Sequence, residues 1–499
     1  MRQLTSLDTQ FVAMEDGRVH GHVSGLGIYD PSTVPDGDLT ARRIRATIAG
    51  RLHLLPPFRW RLVRVPLDLD YPYWADGADI DLGYHVRELA LPDPGDPATL
   101  AEQAARIVSQ PLDRSRPLWE LYLIHGLPEG RKAILTKVHH AALDGASGAE
   151  IFGVLFDLSP EGRPPSPPGT PSAGEEAPGS LAMLWRGLAG VPRQPVRVLR
   201  TVPRALPHLD SVPTLRTIPG VTTLTPLARR LARALPGAGG REAASDHAVH
   251  APRTSLNARI SAHRRAAFAR VSLDEVKAVK DHFGVKVNDV VVAMCAGALR
   301  DWLGGRGELP VESLVALIPV SVRTPEEAGT FGNRASTIIA PIPTDEPDPR
   351  RRLLRAHKQL RDAKARHGEA PRMILEDANH LIPPPALAGA ARALGRAASG
   401  RLGEAPLNVI ISNVAGSPLP LYLAGARQEA MYPLSAIIDG AALNLTVMSY
   451  AGGLDIGIVA DRELAGDLFP LANATREALA ELVALLPRSR QGRSAAMAR

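Results

Sequence analysis

Two adjacent histidines, His139 and His140, end a mostly apolar, strand-like run from Ala133 to Val138, and Asp144 and Gly145 follow closely. Imidazole titrates near neutral pH without heavy perturbation, so His140 at a strand end is suited to act as a general base. Asp144 is placed to hold that base, or the loop carrying it, in one geometry. Gly145 and Gly148 let backbone and substrate come close. Other readings compete. A histidine at a strand end is ordinarily a hydrogen-bonded part of the core, and an Asp-Gly pair is ordinarily a turn. Two histidines and a carboxylate also suit a non-haem metal site. Neighbours on a strand point to opposite faces, however, so His139 and His140 do not readily share one ion. No Cys/His cluster elsewhere adds ligands, and the expectation is no metal. On spacing alone, acid/base chemistry and plain structure both remain open.

The pair has to be delivered by the elements around it. Trp119 to His125 and Lys132 to His139 make a hairpin pattern across Leu127-Pro128-Glu129-Gly130, and the second strand carries the histidines at its carboxyl end. A helix from Ala146 to Leu158 closes the unit. Upstream, Ser6 to Glu15 reads as a short helix with Leu7, Phe11 and Val12 on one side, and His20 to Tyr29 as a strand. Asp38 to Leu52 is helical by pattern and is ended by Pro56-Pro57. Short β pieces at Arg59 to Val65, Tyr71 to Trp74 and Tyr84 to Leu89 precede a helix from Pro97 to Ser109. Strands mixed with helices predict a layered α/β fold.

A chain of 499 residues is too long for one core, so two domains and a connector are expected. With 45% apolar and 22% charged residues it has the composition of an ordinary soluble protein. Cys295 is the only cysteine, which excludes a disulfide framework and a Cys-rich zinc site and fits a reducing cytosol. Met1 to Gly17 holds Asp8, Glu15 and Asp16 and does not read as a signal peptide. The longest apolar stretch, Val290 to Leu299, is far shorter than the roughly 20 residues of a membrane span. The expectation is a cytoplasmic protein, peripheral at most, at the inner membrane face or a lipid-droplet surface.

Charge is unevenly placed. Between Leu181 and Arg241 ten arginines face one acid, Asp210, for a net +9; the overall +6 leaves −3 for the rest. No RNA- or DNA-reading motif accompanies the basic run, so no nucleic-acid partner is expected. Ser159 to Gly179 is Pro, Gly and Ser rich and reads as linker. Leu181 to Leu188 and Leu224 to Leu235 are short amphipathic pieces. They suit an interdomain strap first and an anionic lipid surface second. Ala243 to Pro252 is loop.

The division expected is 1–158 for a first lobe, 159–253 for the connector, 254–487 for a second lobe and 488–499 for a disordered tail. In the second lobe Leu256 to Ser261 and Arg265 to Val271 are strand-like. Ser272 with Glu275 forms a capping box for a helix ending at Gly284. Asn288-Asp289 precedes an apolar helix from Val290 to Trp302, which makes Asn288 an N-cap by position. Leu314 to Val320 is a buried strand running into Arg323. Asp348 to His367 and Pro384 to Ala398 are helical. Asn408 to Ser412, Ser435 to Asp439, Leu443 to Tyr450 and Leu454 to Ala460 are strands, and Leu464 to Leu486 is a final helix.

Ordered blocks run the length of the chain. They are Ser6-Leu7-Asp8 with Phe11, Pro111-Leu112-Asp113-Arg114-Ser115-Arg116-Pro117-Leu118-Trp119, and His139-His140 with Asp144-Gly145. Asn288-Asp289, Pro319-Val320-Ser321-Val322-Arg323, Gly332-Asn333, Ser412-Asn413-Val414 and Asp461-Arg462 follow. Each is weak alone; their order and spacing are specific. On these residues the chain resembles the bacterial wax ester synthase/acyl-CoA:diacylglycerol acyltransferase family. Ala415 departs from the proline often found after Ser-Asn-Val in that family.

The resemblance implies two chloramphenicol-acetyltransferase-like, condensation-domain-like lobes with a channel between them. It implies an O-acyltransferase that moves a long acyl chain from acyl-CoA to diacylglycerol or a fatty alcohol. His140 takes the role of base. Asp144 turns from substrate to pair with an arginine, for which Arg323 is a candidate, and His139 orients the loop, lines the channel or simply packs. The Gly145 backbone, Asn288, Ser412 and Asn413 are candidate oxyanion donors. One well-aimed donor is worth about 3–4 kcal/mol. Direct transfer without an acyl-enzyme fits the absence of a Gly-x-Ser-x-Gly elbow, and no cofactor is expected. Two alternatives stand: a condensation-type or polyketide-associated acyltransferase using a carrier-protein thioester, and a lipid-droplet binding protein without activity. The Pro-Leu-Trp and Asn-Asp blocks weigh against the first, and intact His140, Asp144 and Gly145 against the second.

Overall fold

A computed structural model describes residues 1–35, 37–77, 80–143, 148–163, 178–190, 251–321, 335–368 and 405–487, with Gly389 and Ser399. The expected piece at 224–235, that at 384–398 apart from Gly389, and the 488–499 tail lie outside these residues, as does most of the connector.

The first half runs β1 (Arg2–Gln3), α1 (Ser6–Met14), β2 (His22–Asp30), α2 (Ala41–Arg51), β3 (Trp60–Val63), β4 (Tyr73–Asp76) and α3 (Leu82–His85). It continues through β5 (Val86–Ala90), α4 (Pro97–Val108), β6 (Trp119–His125), β7 (Lys132–His139), α5 (Gly148–Leu155) and α6 (Ser180–Gly190). The second half holds β8 (Arg264–Ser272), α7 (Leu273–Phe283), α8 (Val287–Gly305), β9 (Leu314–Ser321), β10 (Ala335–Ile342), α9 (Pro349–Gly368) and β11 (Val409–Ala415). It ends with β12 (Tyr422–Leu423), β13 (Ala426–Leu434), β14 (Leu443–Tyr450), β15 (Gly453–Asp461), α10 (Arg462–Ala465) and α11 (Phe469–Ala484).

Among the described residues these strands form two six-stranded mixed sheets, ordered β12-β13-β2-β7-β6-β5 and β10-β9-β11-β14-β15-β8, and a three-stranded sheet ordered β1-β4-β3. The hairpin expected at 119–139 is present, with Trp119 opposite Val138 and Ile124 opposite Ala133. β6 is buried over nearly its whole length, as its unbroken Leu-Tyr-Leu-Ile run requires. β5 joins β6 in parallel through α4, which starts where Asp96 accepts the Thr99 N–H at 2.7 Å and buries Leu100, Ala104, Ile107 and Val108. In the second lobe α8 is the central core helix, buried from Asp289 through Leu299.

Four expectations change. Leu82–His85 is a helical turn capped by Asp81, so the strand there begins at Val86. Ser255–Asn257 is a short 3-10 turn instead of the start of a strand, and buried Asn257 holds the Leu407 and Gly440 carbonyls at 2.6 and 3.0 Å. The final helix is broken at Gly466, whose positive φ of 66° follows the turn capped by Asp461. Residues 435–439 form a bend with one isolated bridge; the strand lies just before, at β13.

That strand alters the domain picture. β13, from the half assigned to the second lobe, pairs antiparallel with β2 of the first, Leu434 opposite Ser24 and Arg427 opposite Asp30. The second lobe is therefore not a contiguous 254–487 block. Behind the seam the backbones meet closely: a Cβ at Gly457 would lie 1.7 Å from the Pro433 carbonyl oxygen. Asp455 accepts the Met431 N–H at 2.8 Å and pairs with Arg270 at 3.1 Å. One apolar cluster takes Leu26, Leu100, Ala104 and Leu135 from the first half and Ile260, Leu434, Ala442 and Val459 from the second.

Candidate active site

β7 ends at His139, and a 3-10 turn from His140 to Leu143 begins at once. The two rings part there. His139 is buried, while His140 is half-buried and lies against Phe11 of α1, ring centroids 4.0 Å apart and planes inclined by 17°. Each backbone N–H is pinned: His139 to the Leu118 carbonyl at 2.9 Å, His140 to the Gly21 carbonyl at 2.8 Å. The opposite orientations expected from strand alternation are thus what separates them.

His139 Nδ1 accepts the Ala141 N–H at 3.1 Å, which assigns the ring proton of a neutral imidazole to Nε2. Nε2 lies 3.3 Å from Glu15 Oε1, an ion-pair distance with a poorly aligned hydrogen bond. The same oxygen accepts the Gly21 N–H at 2.7 Å. Arg114 forks onto Oε2 with Nε at 3.1 Å and Nη2 at 2.6 Å, and Nη2 also donates to the Val12 carbonyl at 2.7 Å. Burial works to raise the Glu15 carboxyl. The His139 contact, the Gly21 N–H and Arg114 outweigh it and hold the group well below the ordinary carboxylate range.

Glu15 and Gly21 carry no role in a linear reading. Their partners are remote, Arg114 standing 99 residues from Glu15, and the available hint was Arg114 within the Pro-Leu-Asp-Arg block. Gly21 leaves no room for a side chain: a Cβ would meet His139 Nε2 at 2.7 Å and the Phe11 carbonyl oxygen at 2.9 Å. Lys137, on the same strand face as His139, is fully buried. Its Nζ lies 3.3 Å from both Glu120 Oε2 and the Ile107 carbonyl, which makes it part of the sheet's packing. Asp144 and Gly145 lie outside the described residues, and so does Arg323.

The amide candidates meet where α8 packs on β11 of the second sheet. Asn413, near the end of β11, donates through Nδ2 to Asn288 Oδ1 at 3.4 Å, and Ser412 sits beside it, half-buried. Asn288 is not the N-cap. It is the second residue of α8, and Asp289 does the capping, accepting the Lys286 N–H at 2.9 Å. Asp289 is buried and also accepts from His357 Nδ1 of α9 at 2.7 Å. The capping reading failed because Asp289, one residue on, reaches back to Lys286 more directly. The two amides thus lie beside the N-terminal, positive end of an apolar helix. No single described helix is long and apolar enough to cross a membrane.

Two lobes of this kind, each a mixed sheet with helices, define the condensation-domain class of α/β fold. The first condensation domain of the calcium-dependent antibiotic synthetase superposes with a TM-score of 0.51 at 17% identity, covering 97% of both chains. The chain belongs to the wax ester synthase/diacylglycerol acyltransferase family: the profile of that family's catalytic domain matches residues 4–291 and that of its C-terminal domain residues 331–483. It is an acyltransferase. It is similar to the wax ester synthase/diacylglycerol acyltransferase of Marinobacter aquaeolei VT8, with a TM-score of 0.66 and 29% identity over 97% of this chain and 98% of that one. A Mycobacterium tuberculosis (strain CDC 1551 / Oshkosh) protein whose name places it among the diacylglycerol O-acyltransferases is 35% identical, over 97% of this chain and 90% of its own.

Proposed function

We propose that this enzyme transfers a long-chain acyl group from acyl-CoA to the hydroxyl of diacylglycerol or a fatty alcohol, giving triacylglycerol or wax ester, with His140 as general base. The observation that carries the reading is the placement of one imidazole. The His140 ring is half-buried and supported on Phe11, and the residue's backbone N–H is held by the Gly21 carbonyl, while its neighbour is buried against a carboxylate. A packing histidine needs no such division of roles. A base must reach solvent-borne substrate and yet be held still. The names of the relatives, a wax ester synthase and a diacylglycerol O-acyltransferase, supply the substrate classes.

The acceptor hydroxyl gives its proton to His140 as its oxygen attacks the thioester carbonyl. The C–O bond forms, the tetrahedral oxyanion collapses, the C–S bond breaks, and the CoA thiolate takes the proton back from His140. A thioester is already activated, so the step needs neither an acyl-enzyme nor a cofactor. Asn288, Asn413 and Ser412 at the positive end of α8, with the Gly145 backbone, are the proposed oxyanion donors. Asp144 braces the turn by pairing with Arg323. Donor and acceptor meet in a channel between the lobes, and the protein works as a peripheral partner of a membrane or lipid droplet, where its substrates reside.

Labelled oleoyl-CoA offered with diolein and with hexadecanol tests this on wild type and His140→Ala. Loss of a general base is expected to cost about 10²–10⁴-fold in kcat with both acceptors. Undiminished product from the variant removes His140 from the reaction.

A further inference from the structure

We propose that Glu15, gripped by Arg114, is a positioning residue of the acyl transfer: it anchors His139 and Gly21, and these two fix the turn that presents His140. The inference rests on His140 being the base, and it adds a device that nothing in the His-His-x-x-x-Asp pattern contains.

Both oxygens of the Glu15 carboxylate are committed. Oε2 takes the Arg114 fork at 2.6 and 3.1 Å. Oε1 takes the Gly21 N–H at 2.7 Å and faces His139 Nε2 at 3.3 Å. Each of these two groups then holds one amide of the catalytic turn. The Gly21 carbonyl accepts the His140 N–H at 2.8 Å, and His139 Nδ1 accepts the Ala141 N–H at 3.1 Å. Glu15 therefore controls two successive peptide units, one on either side of the His140 α-carbon. These fix the backbone from which the His140 ring leaves, and Phe11 then supports the ring itself. Phe11 and Glu15 are near neighbours on and just past α1, so the helix that supports the ring also ends in the carboxylate that orients its backbone.

A merely structural ion pair, such as the buried Lys137–Glu120 contact, shows no such directed chain to the turn. The Glu15 carboxylate is 9% exposed and His139 1%, with Arg114 closing the outer side at 31%. Glu15 touches no reacting atom in this arrangement. It acts through other residues, which is why its loss should be read in turnover and not in substrate affinity. Burying a carboxylate without partners would neutralise it; here burial is opposed by His139, Gly21 and Arg114, so the anchor stays charged.

The test uses the full chain as wild type, Glu15→Gln, Arg114→Ala and His140→Ala, assayed with oleoyl-CoA and diolein alongside thermal melts. The expected result is a kcat for Glu15→Gln lowered at least about tenfold, as for a base displaced by a fraction of an ångström, with KM for oleoyl-CoA and the melting midpoint nearly unchanged. Arg114→Ala should lose turnover likewise and regain several-fold on addition of millimolar guanidinium, which can enter from the exposed side. This second variant stands in if Glu15→Gln fails to fold. The proposal is overturned if Glu15→Gln keeps wild-type kcat, or if kcat, KM and melting midpoint fall together and guanidinium restores nothing in Arg114→Ala. A fully active His140→Ala would instead bring down the base assignment, which separates the two failures.

Discussion

Gly21→Ala puts the tightness of the His139 pocket to a numerical test. The added Cβ would stand 2.7 Å from His139 Nε2, 3.0 Å from His139 Cε1 and 2.9 Å from the Phe11 carbonyl oxygen. Ordinary carbon contacts begin near 3.5 Å, so something must move by about 0.6–0.8 Å. The Phe11 carbonyl belongs to the backbone of α1 and resists. The imidazole yields, and it moves away from the 3.3 Å contact with Glu15 and the 3.1 Å bond from the Ala141 N–H. Overpacking of this kind costs about 1–3 kcal/mol in stability, a few degrees in the melting midpoint of a chain this long. Turnover should suffer more than stability, because a misplacement near 1 Å costs up to about 10²-fold in rate. CoA release followed with a thiol reagent, with diolein as acceptor, reads the rate, and circular dichroism reads the melt. Gly50→Ala is the control. It lies on α2 with nothing within 4 Å of its added Cβ, and it should keep full activity and gain up to about 1 kcal/mol. Equal kcat and equal melting for Gly21→Ala and wild type would show that the pocket has slack, and the coupling of Gly21, His139 and His140 would fall with it.

Burial pushes the Asp455 carboxyl up to about 6, against the Met431 N–H and the Arg270 charge that favour the anion. A raised carboxylic pKa contributes stability that is complete below the ordinary aspartate range near 4 and lost as pH rises through 6. The unfolding free energy of wild type relative to Asp455→Asn should therefore decline by roughly 2 kcal/mol between pH 4 and pH 7 in urea titrations; a pH-independent difference refutes the burial argument. Leu181, Trp185 and Leu188 stand 73%, 67% and 44% exposed on one side of α6, beside Arg186 and at the start of the stretch carrying net +9. Flotation with anionic phosphatidylglycerol vesicles should recover wild type and not Trp185→Glu, with neutral phosphatidylcholine recovering little of either. Equal recovery of both proteins on anionic vesicles would remove α6 from the proposed lipid contact.

Local pattern carried the hairpin from Trp119 to His139, because apolar and β-branched residues flank a Pro-Glu-Gly turn with few other solutions. It carried the placement of His139 and His140 at the strand end for the same reason. It did not carry β13, whose opening Arg427-Gln428-Glu429 and later Pro433 argue against a strand. The strand exists because β2 offers an edge, and it absorbs its irregularity in a register shift between Gln428 and Ala430. Local pattern does not mark β10 either, with Pro341 near its end. Glu15 is the instructive omission at the site. At the end of an amphipathic helix it is one acid among several, and only tertiary contact with Arg114, Gly21 and His139 distinguishes it. Asn288 shows the converse. Its neighbourhood with Asn413 joins two blocks that lie 125 residues apart, while the capping role that local rules assigned to it went to Asp289.

The crossover strand also shows how the proposed base at the first sheet and the proposed amide donors at the second belong to one framework. His139 is opposite His22 on β2, and β2 pairs with β13. β13 runs through residues 435–442 into β14, and β14 pairs in parallel with β11, where Asn413 stands opposite Val447. From the histidine turn to the amide pair there is thus a path made wholly of hydrogen-bonded strands and one short connection. Each link is stiff, and the seam beside it is closed by the Gly457–Pro433 approach and the Asp455–Met431 bond. Stabilising a transient oxyanion depends on donors that need not reorganise when charge appears. A fold in which the second half of the chain completes the first sheet meets that demand through its connectivity. β13 is thus one structural link between the His140 turn and Asn413, and it lies outside the sequence blocks that carry the family resemblance.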